Sequence, residues 1–212
     1  MRYSIALVAL LLVAVAPAAS LAAETLETLA GPEAKDAVVA ARSGLKRFLD
    51  AIPKDNTAGY GFADRSQLDR ATLAAPYRLW TMDAQGEAIL ATGEWRFPVT
   101  VDGSFHALLT VARVEGQYKA VDFGAASLAT ELGQLEKARS VSAGARRILL
   151  RLHALHADLV AFPAANARVE DSPFEPLASA RALEGAPKSA VEPKRLLPWA
   201  RERLKVLPPP TP

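Results

Sequence analysis

Between Trp95 and Phe123 the chain repeats apolar and polar residues with a period of two, across two turns, and only antiparallel strands satisfy that pattern. Trp95, Phe97, Val99 and Val101 fall on one side of the first strand. Glu94, Arg96, Pro98, Thr100 and Asp102 fall on the other. Two similar tripeptides, Val101-Asp102-Gly103 and Val114-Glu115-Gly116, divide the stretch into three strands. Each ends in a glycine free to adopt the positive φ of a hairpin turn.

A three-residue turn with its glycine as a bulge predicts Val99 opposite Phe105, Phe97 opposite Ala107 and Trp95 opposite Leu109. A two-residue turn instead sets Val99 opposite His106 and Phe97 opposite Leu108. A one-residue slip exchanges the faces, and only the bulged register makes one face wholly apolar. The same logic at the second turn sets Val121 against Leu109 and Phe123 against Ala107. His106 then shares the other face with Leu108, Thr110 and Ala112, a set less polar than water-facing residues should be. Another segment of the chain, or a partner, is expected to cover it.

The flanking segments supply the covers. Pro32 and Glu33 open a helix in which Val38, Ala41, Leu45, Phe48 and Ile52 recur at helical spacing until Pro53. Its apolar stripe suits the meander's buried face. Asp64 and Gln67 have capping-box spacing before a short helix that Pro76 stops. Tyr77 to Met82 reads as a strand, Asp83 to Gly86 as its turn, and Glu87 to Ala91 as a short strand leading to Gly93. Ala126 to Ala138 is a second helix. The run from Arg146 to Phe162 fits either a helix or a buried strand, and the meander's free edge favours a strand for its first half. Beyond Pro163, prolines cut the chain into short pieces, with helical turns near Leu177 to Leu183 and a helix from Pro198 to Val206. The final prolines read as an extended tail.

The fold class is therefore α+β: an N-terminal amphipathic helix on a twisted antiparallel meander of four or five strands, a second helix, and a proline-rich C-terminal region. The expected divisions are a leader over 1–22, an α+β domain over 23–163, an extension over 164–207 and a tail over 208–212. The leader rests on Arg2, the apolar run Ile5 to Ala16, the break at Pro17, and small residues at Ser20 and Ala22. Cleavage between Ala22 and Ala23 is expected, with delivery to a periplasm or the exterior. The apolar run is too short for a spanning helix, so no membrane span is expected after its removal.

Composition narrows the chemistry. There is no cysteine among 212 residues, hence no disulfide framework and no thiol nucleophile. The formal net charge of +2 supplies no strong overall field toward nucleic acid or anionic lipid. His153, His156 and Asp158 form the one cluster with metal-ligand chemistry; on a helix the two histidines share a face that Asp158 or a distant His106 completes, and a strand scatters them. Gly103-Ser104 belongs to a turn rather than a nucleophile elbow. Glu170 and Asp171 are adjacent, so their side chains diverge. Two basic clusters, Arg139 to Arg151 and Lys194 to Lys205, lack the interleaved aromatics of a nucleic-acid surface beyond Trp199. Tyr77, Trp80, Trp95, Phe97, Phe105, Tyr118 and Phe123 either line a pocket or fill the core.

The leading expectation is an exported binding protein without catalytic residues, metal or cofactor, whose partner is a protein or a small apolar ligand. The alternatives are a metal-dependent hydrolase using His153, His156 and Asp158, and a structural adaptor of an envelope complex.

Overall fold

The computed structural model describes residues 31–142 and 144–206. The leader, its Ala22–Ala23 cleavage point and the proline tail lie outside the described residues. Helix α1 (Pro32–Ala51) opens with Pro32 in its first turn and Glu33 beside the exposed N–H groups. Its inner face is built of small residues, Ala34, Ala37, Ala40 and Ala41 with Val38, which lets it lie close to a sheet.

That sheet contains eight strands: β1 (Thr72–Leu73), β2 (Tyr77–Met82), β3 (Ile89–Val101), β4 (Ser104–Val114), β5 (Gln117–Gly124), β6 (Ile148–Leu152), β7 (Ala157–Ala161) and β8 (Glu175–Pro176). Their order is β5-β4-β3-β2-β6-β7-β8, with β1 also paired to β3. The expected four or five strands are thus too few. β1 and β8 have only two residues each and no periodicity to read, and the Arg146–Phe162 run supplies two strands instead of one. Its first half covers the free edge of β2 in parallel fashion, and its second half folds back as β7. The segment from Glu87 does not stop at Gly93. Gly93 takes φ 80° and β3 continues through it, with an irregular register against β2 between Arg78 and Trp80.

The meander's register needs a correction. Val101 faces Ser104 and Val114 faces Gln117, so both turns have two residues. Asp102 (φ 52°) and Gly103 (φ 78°) are both left-handed, as are Glu115 (φ 53°) and Gly116 (φ 79°), the combination a type I′ turn requires. A bulge then displaces each ladder. Past His106, Val99 faces Ala107, Phe97 faces Leu109 and Trp95 faces Val111. Past Val121, Leu109 faces Phe123, while Ala120 takes the buried place and Val121 is exposed. The buried set Phe97, Val99, Ala107 and Leu109 stays together, but every expected cross-strand partner moves by two. Phe105 now lies against Gly133 on the opposite side of the sheet. His106 leaves the expected company of Leu108 and stacks on Phe62 at 5.3 Å, its Nδ1 2.7 Å from the Gly61 carbonyl oxygen.

Three cores result. On one face, α1 covers Phe97, Val99, Leu109 and Val111. Farther along that face, Phe174, Leu196 and Ala200 from the C-terminal segment cover Leu150 and Leu159. On the other face, helix α3 (Ala126–Ala138) lays Ala129 and Leu132 over Tyr77, Leu79, Leu108 and Leu149. The segment expected to cover Leu108 and Thr110 is therefore part of this chain, and both are buried.

Two smaller helices also differ from expectation. Helix α2 (Arg65–Asp69) is capped by Asp64, whose carboxylate accepts the Gln67 N–H, while Gln67 Oε1 accepts the N–H of Ala63. It ends before β1 rather than at Pro76. After α4 (Ala178–Arg181), helix α5 (Pro193–Lys205) starts at Pro193, not Pro198. Pro193 takes the first position, where its missing N–H costs nothing, and Pro198 is carried inside the helix. The outer strand β5 is guarded by its bulge and by Arg47, which donates to the Ala120 carbonyl at 2.7 Å.

Candidate functional site

The hairpin β6–β7 separates the suspected metal cluster. His153 opens a single 3₁₀ turn, His156 is left-handed at φ 50°, and both side chains are exposed. Asp158 is buried on the α3 side of the sheet, where Arg151 grips it with two bonds, Nε to Oδ1 at 2.7 Å and Nη2 to Oδ2 at 2.9 Å. His106 sits elsewhere, against Phe62. Among the described residues no group of three or more His, Asp or Glu is placed to hold a metal ion. Glu170 and Asp171 lie in an exposed turn, each 3.6 Å from Arg168. The aromatic residues do not share a pocket either. Trp95, Phe97, Phe123 and Tyr118 pack under α1, Trp80 under the C-terminal segment, and Tyr77 and Phe105 under α3.

Two concave surfaces lie along α3. Its inner residues Ala129 and Leu132 anchor it, so Ser127, Thr130 and Gln134 form an exposed outer ridge. On one side is a trough of about 670 Å³ between the ridge and the β3–β4 turn, lined by Ser104, Phe105, Gly133, Lys137 and Ser140. On the other side a trough of about 720 Å³ reaches Ala178, Ser179 and Asp158. Gly133 keeps the first trough's floor low: a methyl there would meet the Phe105 ring at 3.1 Å.

Each carboxylate at these troughs already has a cation. Arg147 holds Glu136 through Nε at 2.7 Å and Nη2 at 2.9 Å, and the Tyr77 hydroxyl donates to the same carboxylate. Burial pushes the Tyr77 hydroxyl well above its ordinary range, and the neighbouring Glu136 charge adds to the shift. Glu131 accepts from Arg181 at 2.7 Å and from the Ala178 N–H at 2.7 Å, which ties α4 to α3. Asp102 is paired with Arg70 at 2.7 Å, and Asp158 with Arg151. Sequence reasoning missed the Tyr77–Glu136–Arg147 set because its members come from three separate segments. Glu136 is one of several polar residues along the Ala126–Ala138 helix, and Arg147 one of a basic run. No protein-family model, curated protein or solved structure matches the chain.

Proposed function

We infer that the chain is an exported binding protein of a bacterial envelope or extracellular space, and that it engages its partner along the ridge of α3. Export is supported by Arg2, the apolar run Ile5 to Ala16 and the small residues before Ala23. The observation that carries the binding reading is the condition of the two troughs. A carboxylate that does general acid–base work must be free to exchange a proton with substrate. Here Asp102, Glu131, Glu136 and Asp158 are each committed to an arginine. The groups left to meet a partner are four hydroxyls, one amide and one lysine: Ser104, Ser127, Thr130, Gln134, Lys137 and Ser140. Such a surface recognises by hydrogen bonding and shape, and α3 is anchored beneath it by the buried Ala129 and Leu132.

Export is tested by fractionating cells that produce the chain and sequencing its N-terminus. A mature form beginning within a residue or two of Ala23, outside the cytosol, fits the reading. A cytosolic form retaining Arg2 contradicts it.

A further inference from the structure

The net charge of +2 conceals a strong segregation. Helix α5 alone holds five basic residues, Lys194, Arg195, Arg201, Arg203 and Lys205, against one acid, Glu202. The rest of the chain is therefore net acidic. Leu196 and Ala200 fix the helix's inner side in the core, and Lys194, Arg195, Pro198, Glu202 and Lys205 are all exposed on the side that remains. From Lys194 to Lys205 this row extends about 16 Å at the helical rise. Apolar groups lie within the cations: Pro198, the half-buried Trp199 and Val206, which is 72% exposed. Among the described residues, Arg195 has no ion-pair partner.

We propose that α5 is a peripheral docking face for an anionic bilayer surface, approached side-on. Charge complementarity selects the occupant. Lys194, Arg195 and Lys205 form an exposed row along one helix, with Lys194 beside Glu192 and Lys205 beside Glu202, and cations spread in this way match a broad field of anionic headgroups better than the localised charge of an acidic peptide. Tryptophan beside lysine and arginine is at home at the headgroup boundary, and the exposed Val206 adds a shallow apolar contact. The helix does not insert, because its own apolar side is already used by Leu159, Phe174 and their neighbours. Attachment is consequently shallow and sensitive to salt. Among the described residues no helix is long and apolar enough to cross a membrane.

The test is cosedimentation of the full chain with vesicles of phosphatidylcholine alone, or of phosphatidylcholine with about one third phosphatidylglycerol. The expected result is at least a tenfold excess of binding to the anionic vesicles, lost at high salt. Lys194→Gln/Arg195→Gln/Lys205→Gln should remove most of that excess, and Val206→Glu should reduce it. Lys35→Gln/Lys46→Gln/Lys54→Gln, which removes as much charge from and beside α1, should leave it within about twofold. All four proteins share their N-terminal residues, so any contribution from the leader cancels in the excess. The proposal is overturned by equal binding to both vesicles, by an α5 triple variant that binds like the parent, or by an equal loss in the α1 set. Binding to soluble polyglutamate without any excess on anionic vesicles would assign the face to an acidic protein instead.

Discussion

Gly44 and Ala120 occupy one space: a methyl built on Gly44 would stand 2.3 Å from the Ala120 Cβ, where α1 crosses β5. Replacing a mid-helix glycine by alanine ordinarily stabilises by about 1 kcal/mol. Here overpacking should prevail, and Gly44→Ala should destabilise by about 1–3 kcal/mol in denaturant melts. Adding Ala120→Gly removes the obstructing methyl and should restore part of the loss. If Gly44→Ala alone melts above the parent, the helix does not lie this close to the sheet.

Tyr77, Glu136 and Arg147 should behave as one unit. Glu136→Ala leaves the Arg147 guanidinium buried without its main partner and should cost about 3–5 kcal/mol. Tyr77→Phe, which leaves the Arg147–Glu136 pair in place, should cost about 1–2 kcal/mol.

The same tyrosine sets a dependence on pH. Its folded-state value is raised above the ordinary 10.0, by burial first and by Glu136 second. Its stabilising effect is complete below that ordinary value. As pH climbs past it, tyrosine in the unfolded chain ionises while Tyr77 stays protonated, so stability declines toward the folded-state value. Urea midpoints at neutral pH and about one unit above the tyrosine value should therefore fall farther for the parent than for Tyr77→Phe. Equal falls would mean that this hydroxyl is not buried as described.

The two hairpin turns offer a gain and a loss. Gly103 and Gly116 have φ of 78° and 79°, and open space where a Cβ would sit, so a substitution meets backbone strain and nothing else. Gly103→Val and Gly116→Val should each cost about 1–2 kcal/mol, with asparagine milder. Glu115→Asn should do the reverse. Asparagine tolerates the left-handed φ of 53° better than glutamate, and the exposed Glu115–Lys119 pair adds little. A gain of a few tenths of a kcal/mol in thermal unfolding is expected, and a loss would contradict the turn assignment.

Phe97→Ala and Leu109→Ala remove fully buried side chains from the core under α1 and should each cost about 2–5 kcal/mol. His106→Ala should cost about 1–2 kcal/mol, because its imidazole bonds the Gly61 carbonyl and stacks on Phe62. Denaturant melts that found His106→Ala silent would return it to the register expected from alternation alone.

That register marks where local pattern stops being informative. The extents of α1, α3 and β2 were legible because consecutive residues carry the helical or strand period. The grouping of Phe97 with Leu109 was legible for the same reason. The bulges at His106 and Val121 were not. Val-acid-Gly suits both a two-residue and a three-residue turn, and the choice depends on Asp102 and Glu115 also turning left-handed, which glycine alone does not signal. Nothing local marks Gly44, since its role lies in β5, 76 residues away at Ala120. For the candidate site, the histidine cluster was visible but the hairpin disperses it. The ridge of α3 has no motif, only hydroxyls and amides that matter because Ala129 and Leu132 face inward.

The binding role proposed for that ridge is tested most directly by photo-cross-linking in the producing cells. A photoreactive residue at Gln134, on the ridge, is compared with one at Lys54, exposed in the loop after α1. The account predicts a discrete adduct from position 134 that is absent at 54 and lost when Thr130→Arg obstructs the troughs. Cross-linking that is equal at both positions, or unchanged by Thr130→Arg, would contradict it.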